Sequence, residues 1–508
     1  MLKKLFSKLH STEVRKEAEF QIEFTGNIDK TVESINNIVG ESDDIIQRDF
    51  LIGKKIRATL FFVDGLCDSD SIEEDIIRPL IYFTEPDRFD EKDFLFYLQN
   101  EVITLSELKF EKSLEKAMLP FLSGETILVI DGLKELILFE TRKFNERGIA
   151  EPESEVVVRG PRDGFVESLH TNILQVRRRI RDPNLTVQFG TLGRRAKSDI
   201  AVVYIKGVAN EKFIDEIRYR VSCINNDHVT ETGTLEQLIE DNVLSVFPQM
   251  SRTERPDKIV AALMNGNVVI FHDGSPFALM APVMFHMLFR SPEDYYDRWQ
   301  IGSLIRVLRY FAALIAIFLP AIYIAMVSFH QGMLPTTLAV SIAASREGVP
   351  FPALIEAIFM EVTIELLREA GVRLPRAVGQ TIGIVGGLVI GDAAVRAGIV
   401  SPVMVIVVAL TAIASFSIPA YNISIAFRVI RFLMMLSAAV FGLYGLVMVY
   451  IFINIHLVGL RSLGAYYTAP FAPYHFGDWL DLLIRAPLSV LTKRSTELKS
   501  PDQQKKGL

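Results

Sequence analysis

The chain has 508 residues, half of them hydrophobic, which is too long for one ordinary soluble domain and apolar enough to predict membrane spans. Residues 301–508 carry 16 Lys and Arg against 10 Asp and Glu, which leaves 38 against 51 in residues 1–300. The acidic first part argues against nucleic acid as a partner, and the basic excess behind it is what membrane-flanking cations produce. Cys67 and Cys223 are too few and too far apart for a disulfide framework or a thiolate metal site.

The N-terminal stretch MLKKLFSKLHSTEVRKEAEF lacks the continuous apolar core of a secretory signal, so the first part is expected to stay in the cytoplasm. Two stretches then read as strand, turn and helix: RATLFFVDGLCDSDSIEEDII from Arg57 and DIAVVYIKGVANEKFIDEI from Asp199. Two others, GETILVIDGLKELILFE from Gly124 and GNVVIFHDGSPFALMAP from Gly266, read as hairpins, because Asp-Gly between apolar runs supplies the positive φ that a tight turn needs. A constant offset of 142 superposes Gly65 on Gly207, Gly124 on Gly266, Asp131 on Asp273 and Gly132 on Gly274. KSLEKAMLPFL then falls opposite ERPDKIVAALM. The spacing predicts two similar α/β subdomains, over 43–141 and from 185 to about 283.

Between them, Phe165, Leu169, Ile173, Val176 and Ile180 recur at helical spacing until Pro183. Arg177, Arg178, Arg179 and Arg181 crowd the end of that helix, where cations favour its dipole. They suit a lipid headgroup or an acidic partner, or simply a solvated helix end.

The second part reads as a helical membrane domain. Residues 307–329 are long and apolar enough to cross, with Arg298, Arg306 and Arg309 before them; further candidates are 351–371, 377–398, 402–425 and 432–458. Counting 351–371 as a span keeps Arg368, Arg373, Arg376, Arg428 and Arg431 on one side, as the positive-inside tendency asks. Five crossings also carry Arg485, Lys493 and Arg494 to the opposite side, in conflict with that tendency.

The stretch FMEVTIELLREAGVRLP, 359–375, sets Glu361, Glu365, Arg368 and Glu369 on one helical stripe. An ionised residue at mid-bilayer costs on the order of 3 kcal/mol, so the stripe should not face lipid. It lines an aqueous path, lies at the interface, or forms a Glu–Arg network between helices. In VGQTIGIVGGLVIGDAAV, Gly379, Gly383, Gly387 and Gly391 make a small-residue ridge suited to close helix packing. Thr381, Ile384, Val385 and Leu388 are the candidates for a narrow, apolar gate. Asp392 and Arg396 should form a local ion pair. Pro419, within SFSIPAYNIS, should break a helix whose freed carbonyls the neighbouring Ser and Asn residues can satisfy. His330 and His456 sit near predicted span ends. There is no GxxxxGK[ST], HExxH or GxSxG and no histidine ligand spacing, so no enzymatic chemistry, cofactor or metal is expected.

Together, VVVRGPRDGFVESLHTNI, TERPDKI, HDGSPF, SPEDYYDRW, SFHQGMLPTTLAVSIAASREGVPFP, EVTIELLREAGVRLP and GQTIGIVGGLVIGDAAV closely resemble the A subunit of the GerA-type spore germinant receptors, over about residues 156–460. The resemblance implies a protein of the spore inner membrane that works with a transporter-like B subunit and a lipoprotein C subunit in a nutrient response. It implies a homo-oligomeric ring, proposed to be pentameric, that forms the ion path. A sibling group tied to dipicolinate release shares these motifs. Under this resemblance Glu361 and Glu365 would present acidic rings beside a cation path. The competing class is a non-conducting scaffold or relay subunit, and a secondary transporter ranks last. The expected organisation is an N-terminal segment (1–42), an α/β subdomain (43–141), a basic linker helix (142–184), a second α/β subdomain (185–300), a membrane domain of about five spans (301–460) and a tail (461–508).

Overall fold

The computed structural model describes residues 26–83, 95–105, 107–143, 151–152, 154–373 and 390–505. The chain divides into two compact units, one of Met1–Glu240, Arg252–Pro282 and Leu488–Leu508, the other of Asp241–Ser251 and Val283–Pro487.

The first unit holds two five-stranded sheets. One is built from β1 (Ile45–Ile52), β2 (Ile56–Val63), β3 (Leu108–Glu111), β4 (Thr126–Ile130) and β5 (Leu136–Phe139), in the order β1-β2-β4-β5-β3. The other contains β6 (Leu185–Leu192), β7 (Ser198–Ile205), β8 (Ser251–Thr253), β9 (Val268–His272) and β10 (Ala278–Ala281), in the order β6-β7-β9-β10-β8. The two orders are the same. β2, β4 and β5 fall on β7, β9 and β10 at the 142-residue offset, and both Asp-Gly turns join antiparallel neighbours.

The glycines show why the spacing is strict. Gly124 (φ +102) and Gly266 (φ +99) both follow a helix: α2 (Leu114–Phe121) or α6 (Pro256–Asn265). A Cβ on Gly124 would lie 2.9 Å from the Leu66 carbonyl oxygen, and one on Gly266 would lie 2.9 Å from that of Val208. The two obstructing residues are themselves 142 apart. Only glycine fits both the positive φ and the close approach.

The repeat begins earlier than the offset alone indicates. Helix α1 (Ile28–Val39) opens with its Ile28 N–H on Asp131 Oδ1 at 3.3 Å, and α3 (Leu169–Arg179) opens with its Leu169 N–H on Asp273 Oδ1 at 3.1 Å. Ile28, Ile35 and Val39 are buried, as are Leu169, Val176 and Ile180 at an offset of 141. The basic linker helix is therefore the opening helix of the second repeat. Residues 42–44 then run alongside β6, with the Asp43 N–H on the Val187 carbonyl at 2.9 Å and the Val187 N–H on Ser42 Oγ at 2.9 Å. The unit also holds α4 (Glu211–Ser222) and α5 (Thr232–Ile239).

The tail closes on this unit. Arg494 Nε donates to the Met264 carbonyl at 2.8 Å, Ser500 Oγ to that of Val208 at 2.6 Å, and the Asp502 N–H to that of Gly207 at 3.2 Å.

The second unit is helical: α7 (Trp299–Ser328), α8 (Thr336–Arg346), α9 (Ala353–Arg373), α10 (Pro402–Phe416) and α11 (Tyr421–Gly459). Two of these, α7 and α11, are long and apolar enough to cross a membrane. Their contacts set the directions. α7 starts where Arg306 meets Asp294 and Asp481. α9 and α10 run parallel, because the Ser401 N–H donates to Glu356 near their beginnings and Arg368 lies over Phe416 near their ends.

α11 is the departure from expectation. The sequence predicts an unbroken span over 432–458, but the helix reverses at Gly442, whose φ of 61° and ψ of −142° are open to glycine almost alone. Phe427 on the first leg lies beside Phe285 and Phe289, near the start of α7. Leu443, just past the reversal, donates its N–H to His330 Nε2 at 3.2 Å, just beyond the far end of α7. The second leg returns along α7 through Phe318 and Tyr450. Ser437 and Gly445, eight residues apart, abut; in a straight helix they would be about 12 Å apart. The first leg has 21 residues and the second 17, counted from the ends of α11 to Gly442. The start of α7 and the end of α11 therefore lie at the same end of the described bundle.

Candidate functional site

The charges of 359–375 lie on α9, and the structure pairs them. Glu361 is buried and bonds Arg431 Nη1 on α11 at 3.0 Å. Glu365, about half exposed, bonds Arg428 of α11 and lies 3.4 Å from Arg368. Glu369 and Arg373 form an exposed pair at 2.6 Å, and Glu356, buried, meets Arg346 at 2.9 Å. The cause is spacing on both helices: Glu361 and Glu365 are one turn apart, and so are Arg428 and Arg431. Of the three arrangements open to the stripe, this chain builds the interhelical Glu–Arg network. Arg368, Arg428 and Arg431 each keep a buried Nε without a hydrogen-bond partner among the described residues, so the cluster holds donors in excess.

Gly379, Thr381, Gly383, Ile384, Val385, Gly387 and Leu388 lie outside the described residues. Gly391 is described, and a Cβ there would touch Val405 Cγ1 at an ordinary 3.7 Å. Asp392 and Arg396 do form an exposed i,i+4 pair at 2.9 Å. Pro419 lies between α10 and α11, ending a helix rather than kinking one. Ser415 and Ser424 make the compensating bonds, from Ser415 Oγ to the Thr411 carbonyl at 2.9 Å and from Ser424 Oγ to the Ser415 carbonyl at 3.3 Å.

Sequence reasoning missed a second charged cluster, at the start of α7. Asp294, 1% exposed, accepts from Arg306 Nε at 3.1 Å and from Arg309 Nη1 at 2.7 Å. Asp481 accepts from Arg306 at 2.8 Å and lies 3.3 Å from Arg290, while Arg306 and Arg485 both lie over the Tyr295 ring. Nearby His286 is fully enclosed, and burial pushes it down to about 3; its Nδ1 is 2.9 Å from the Ala469 carbonyl oxygen, so it is the neutral donor there. The motif SPEDYYDRW marks half of this cluster; the other half lies about 190 residues away. His456, read as an interfacial histidine, hydrogen-bonds Ser245 at 2.9 Å, and His330 caps the second leg of α11.

In the first unit, Glu236 on α5 is nearly buried. Burial raises its carboxyl from the ordinary 4.5 to about 7, against the pull of Arg252 and with Glu240 and Glu231 adding to the rise. A raised carboxylate costs stability once it ionises. Between about pH 4.5 and 7 the folded chain holds a proton that the unfolded chain has released, so stability falls as pH rises. Glu236→Gln should therefore stabilise the protein by roughly 3 kcal/mol at pH 8 and by little below pH 4.5. Thermal unfolding at the two pH values checks this, and an equal gain at both would refute it.

The family model described as Bacillus/Clostridium GerA spore germination protein matches residues 33–497. Spore germination protein GerLA of Bacillus cereus is 43% identical over 482 residues, which cover 95% of this chain and 97% of that one. Spore germination protein KA of Bacillus subtilis is 42% identical over 495 residues, 97% of this chain and 90% of that one. Among solved structures, the crystal structure of the N-terminal domain of the A subunit of the Bacillus megaterium spore germinant receptor GerK3 is 28% identical and covers 52% of this chain and 98% of that one, with a TM-score of 0.42.

Proposed function

This chain belongs to the Bacillus/Clostridium GerA spore germination family, and we propose that it is the membrane subunit of a nutrient-responsive germination receptor in which it forms the ion-conducting path. It resides in the spore inner membrane, with the sheet-bearing unit on the cytoplasmic, core side. Its partners are a transporter-like B subunit, which binds nutrient, and a lipoprotein C subunit. Several copies assemble into a ring.

The observation that carries the conducting role is Glu365. It lies in an apolar bundle, half exposed, between Arg368 and Arg428. On α9 it adjoins an exposed stripe of Ile355, Phe359, Val362 and Leu366, suited to packing against a neighbour in the bilayer. The three arginines outnumber the two carboxylates here, so Glu365 serves cations only when α9 shifts and frees it from Arg428 at a pore mouth, with Thr381, Ile384, Val385 and Leu388 as the candidate constriction. The fold also supports an even number of crossings. The tail hydrogen-bonds Met264 and Val208 of the sheet-bearing unit, which supports a chain that returns to the side from which it left. On that reading Arg485, Lys493 and Arg494 lie on the cytoplasmic side.

The buried Glu361–Arg431 pair favours a second reading, a relay that couples a nutrient-bound partner to a separate channel by shifting α9 against α11. Glu365→Gln decides between them. Cation flux through the assembled receptor should fall or change selectivity, whereas unchanged flux together with a nutrient response lost in Glu361→Gln hands the role to the relay.

A further inference from the structure

The stretch that follows α11 has two unlike faces. From the end of that helix the chain runs through residues 461–485 to the start of α7, where the Arg485 N–H donates to Ser303 Oγ at 3.1 Å. Buried polar groups anchor its inward face. Tyr467, wholly enclosed, donates its hydroxyl to the Pro248 carbonyl at 2.8 Å, and the Ala469 carbonyl accepts from His286. Asp481 holds Arg290 and Arg306.

The outward face is apolar. Between 471 and 484 every exposed residue is Phe, Tyr, Leu, Ile or Gly, while Asp478 and Asp481 are partly buried. Phe476 is 79% exposed and Tyr474 61%. Phe471 and Tyr474 both lie against the Trp479 ring, with centroids 5.5 and 5.6 Å away, so the aromatics form one surface. Apolar side chains exposed singly are ordinary, whereas a contiguous patch marks an interaction surface.

Its position says what covers it. The end of α11 and the start of α7 bracket the patch, and both helices continue it with exposed side chains, Phe452 and Ile455 on one and Leu304 and Leu308 on the other. Trp299, the other tryptophan of the chain, opens α7 and is also exposed. Tryptophan and tyrosine concentrate at the headgroup level of a bilayer, where an apolar ring and a polar tip are both satisfied. A protein partner would ordinarily meet a polar rim, which this stretch does not present.

We propose that residues 471–484 lie in the bilayer interface as a foot embedded among lipid headgroups. The proposal rests on the reading of α7 and α11 as membrane spans. Interfacial elements of this kind bury their apolar face about 5–10 Å into the headgroup–acyl boundary. Because Asp481 bonds Arg306, the foot holds the start of α7 at a fixed depth and ties the lipid surface to the charged cluster there.

Phe476→Cys, Ile484→Cys, Phe452→Cys and Leu119→Cys, each in the full chain with Cys223→Ser, would carry a nitroxide in nanodiscs of phosphatidylcholine and phosphatidylglycerol. Cys67 is buried and stays. Collisions with oxygen, which concentrates in lipid, and with a nickel chelate, which stays in water, report the depth of each label. Labels at 476 and 484 should favour oxygen, at a depth of about 5–10 Å, between the deep label at 452 and the aqueous one at 119. Nickel-dominated collisions at 476 and 484, with 452 still in lipid, overturn the foot and leave the spans standing. An aqueous 452 overturns the spans and the foot with them. Protection of 476 and 484 from both reagents means that protein covers the patch, and it too overturns the proposal.

Discussion

Gly445→Val is expected to prevent the helical unit from assembling. A Cβ at 445 would stand 2.3 Å from the Ser437 carbonyl oxygen and 2.9 Å from Phe441 Cβ. The first is backbone of the opposing leg, so nothing can rotate aside, and the hairpin must open. Opening it removes the second leg from α7 and the His330 cap from Leu443. Gly442→Ala acts on the same turn by backbone strain of about 1–3 kcal/mol and by a Cβ that would stand 2.8 Å from His330 Nε2 and 3.1 Å from Phe329 Cβ, both side-chain atoms; valine at 445 should cost more, because it meets backbone that cannot rotate aside. Gly459→Ala, where an added Cβ meets nothing within 4 Å, is the neutral comparison. The readout is yield and monodispersity of the full chain in detergent, followed by thermal unfolding. A monodisperse Gly445→Val protein with parental unfolding would mean that the two legs do not touch as described.

Arg177→Met carries the second large effect, in the sheet-bearing unit. Arg177 is 1% exposed and grips Asp44 with two bonds of 2.7 Å, while its Nη2 also donates to Ser42 Oγ at 2.8 Å. Ser42 in turn donates to Asp44 and accepts from Val187, so one guanidinium ties the two repeats together. Methionine leaves Asp44, 2% exposed, in the core without its partner. Removing one member of a buried pair costs about 3–5 kcal/mol. Arg177→Met/Asp44→Leu should recover much of the loss, since an apolar pair of similar volume often serves as well. Arg181→Met, exposed two residues beyond the end of the same helix, should leave unfolding unchanged. If 177 and 181 respond alike, the helix end is solvated throughout and the bridge is absent.

The legible and illegible parts of this fold divide along a physical line. Strands, Asp-Gly turns and the 142-residue offset were readable because each depends on local chemistry: alternating burial, positive φ and helix spacing. The helix break at Pro419 and the Asp392–Arg396 pair were readable for the same reason. α1 escaped because its polar face differs from that of α3 and its register slips by one residue, so no single offset includes it. The α11 hairpin escaped because hydropathy averages over both legs, and a reversal made by one glycine leaves the average unchanged. Its trace was the pair Gly442 and Gly445 in FGLYGL, set one helical turn apart in an otherwise uniform apolar run. The stripe on α9 was readable as a stripe, but Arg428 and Arg431 lie some 63–70 residues on, and only tertiary structure brings them to Glu365 and Glu361.

The division of the chain into two units has a covalent consequence. The polypeptide passes between them four times, near residues 240, 251, 282 and 487. Neither unit is therefore one continuous stretch of chain, and no single cut of the backbone separates them covalently. A protease that cuts within 241–251 would leave the passages near 282 and 487 uncut, so Arg252–Pro282 and Leu488–Leu508 would stay covalently joined to Val283–Pro487. Such a nick would show as two fragments under denaturing conditions and as one species wherever the sheet-bearing unit, built from both fragments, stays folded.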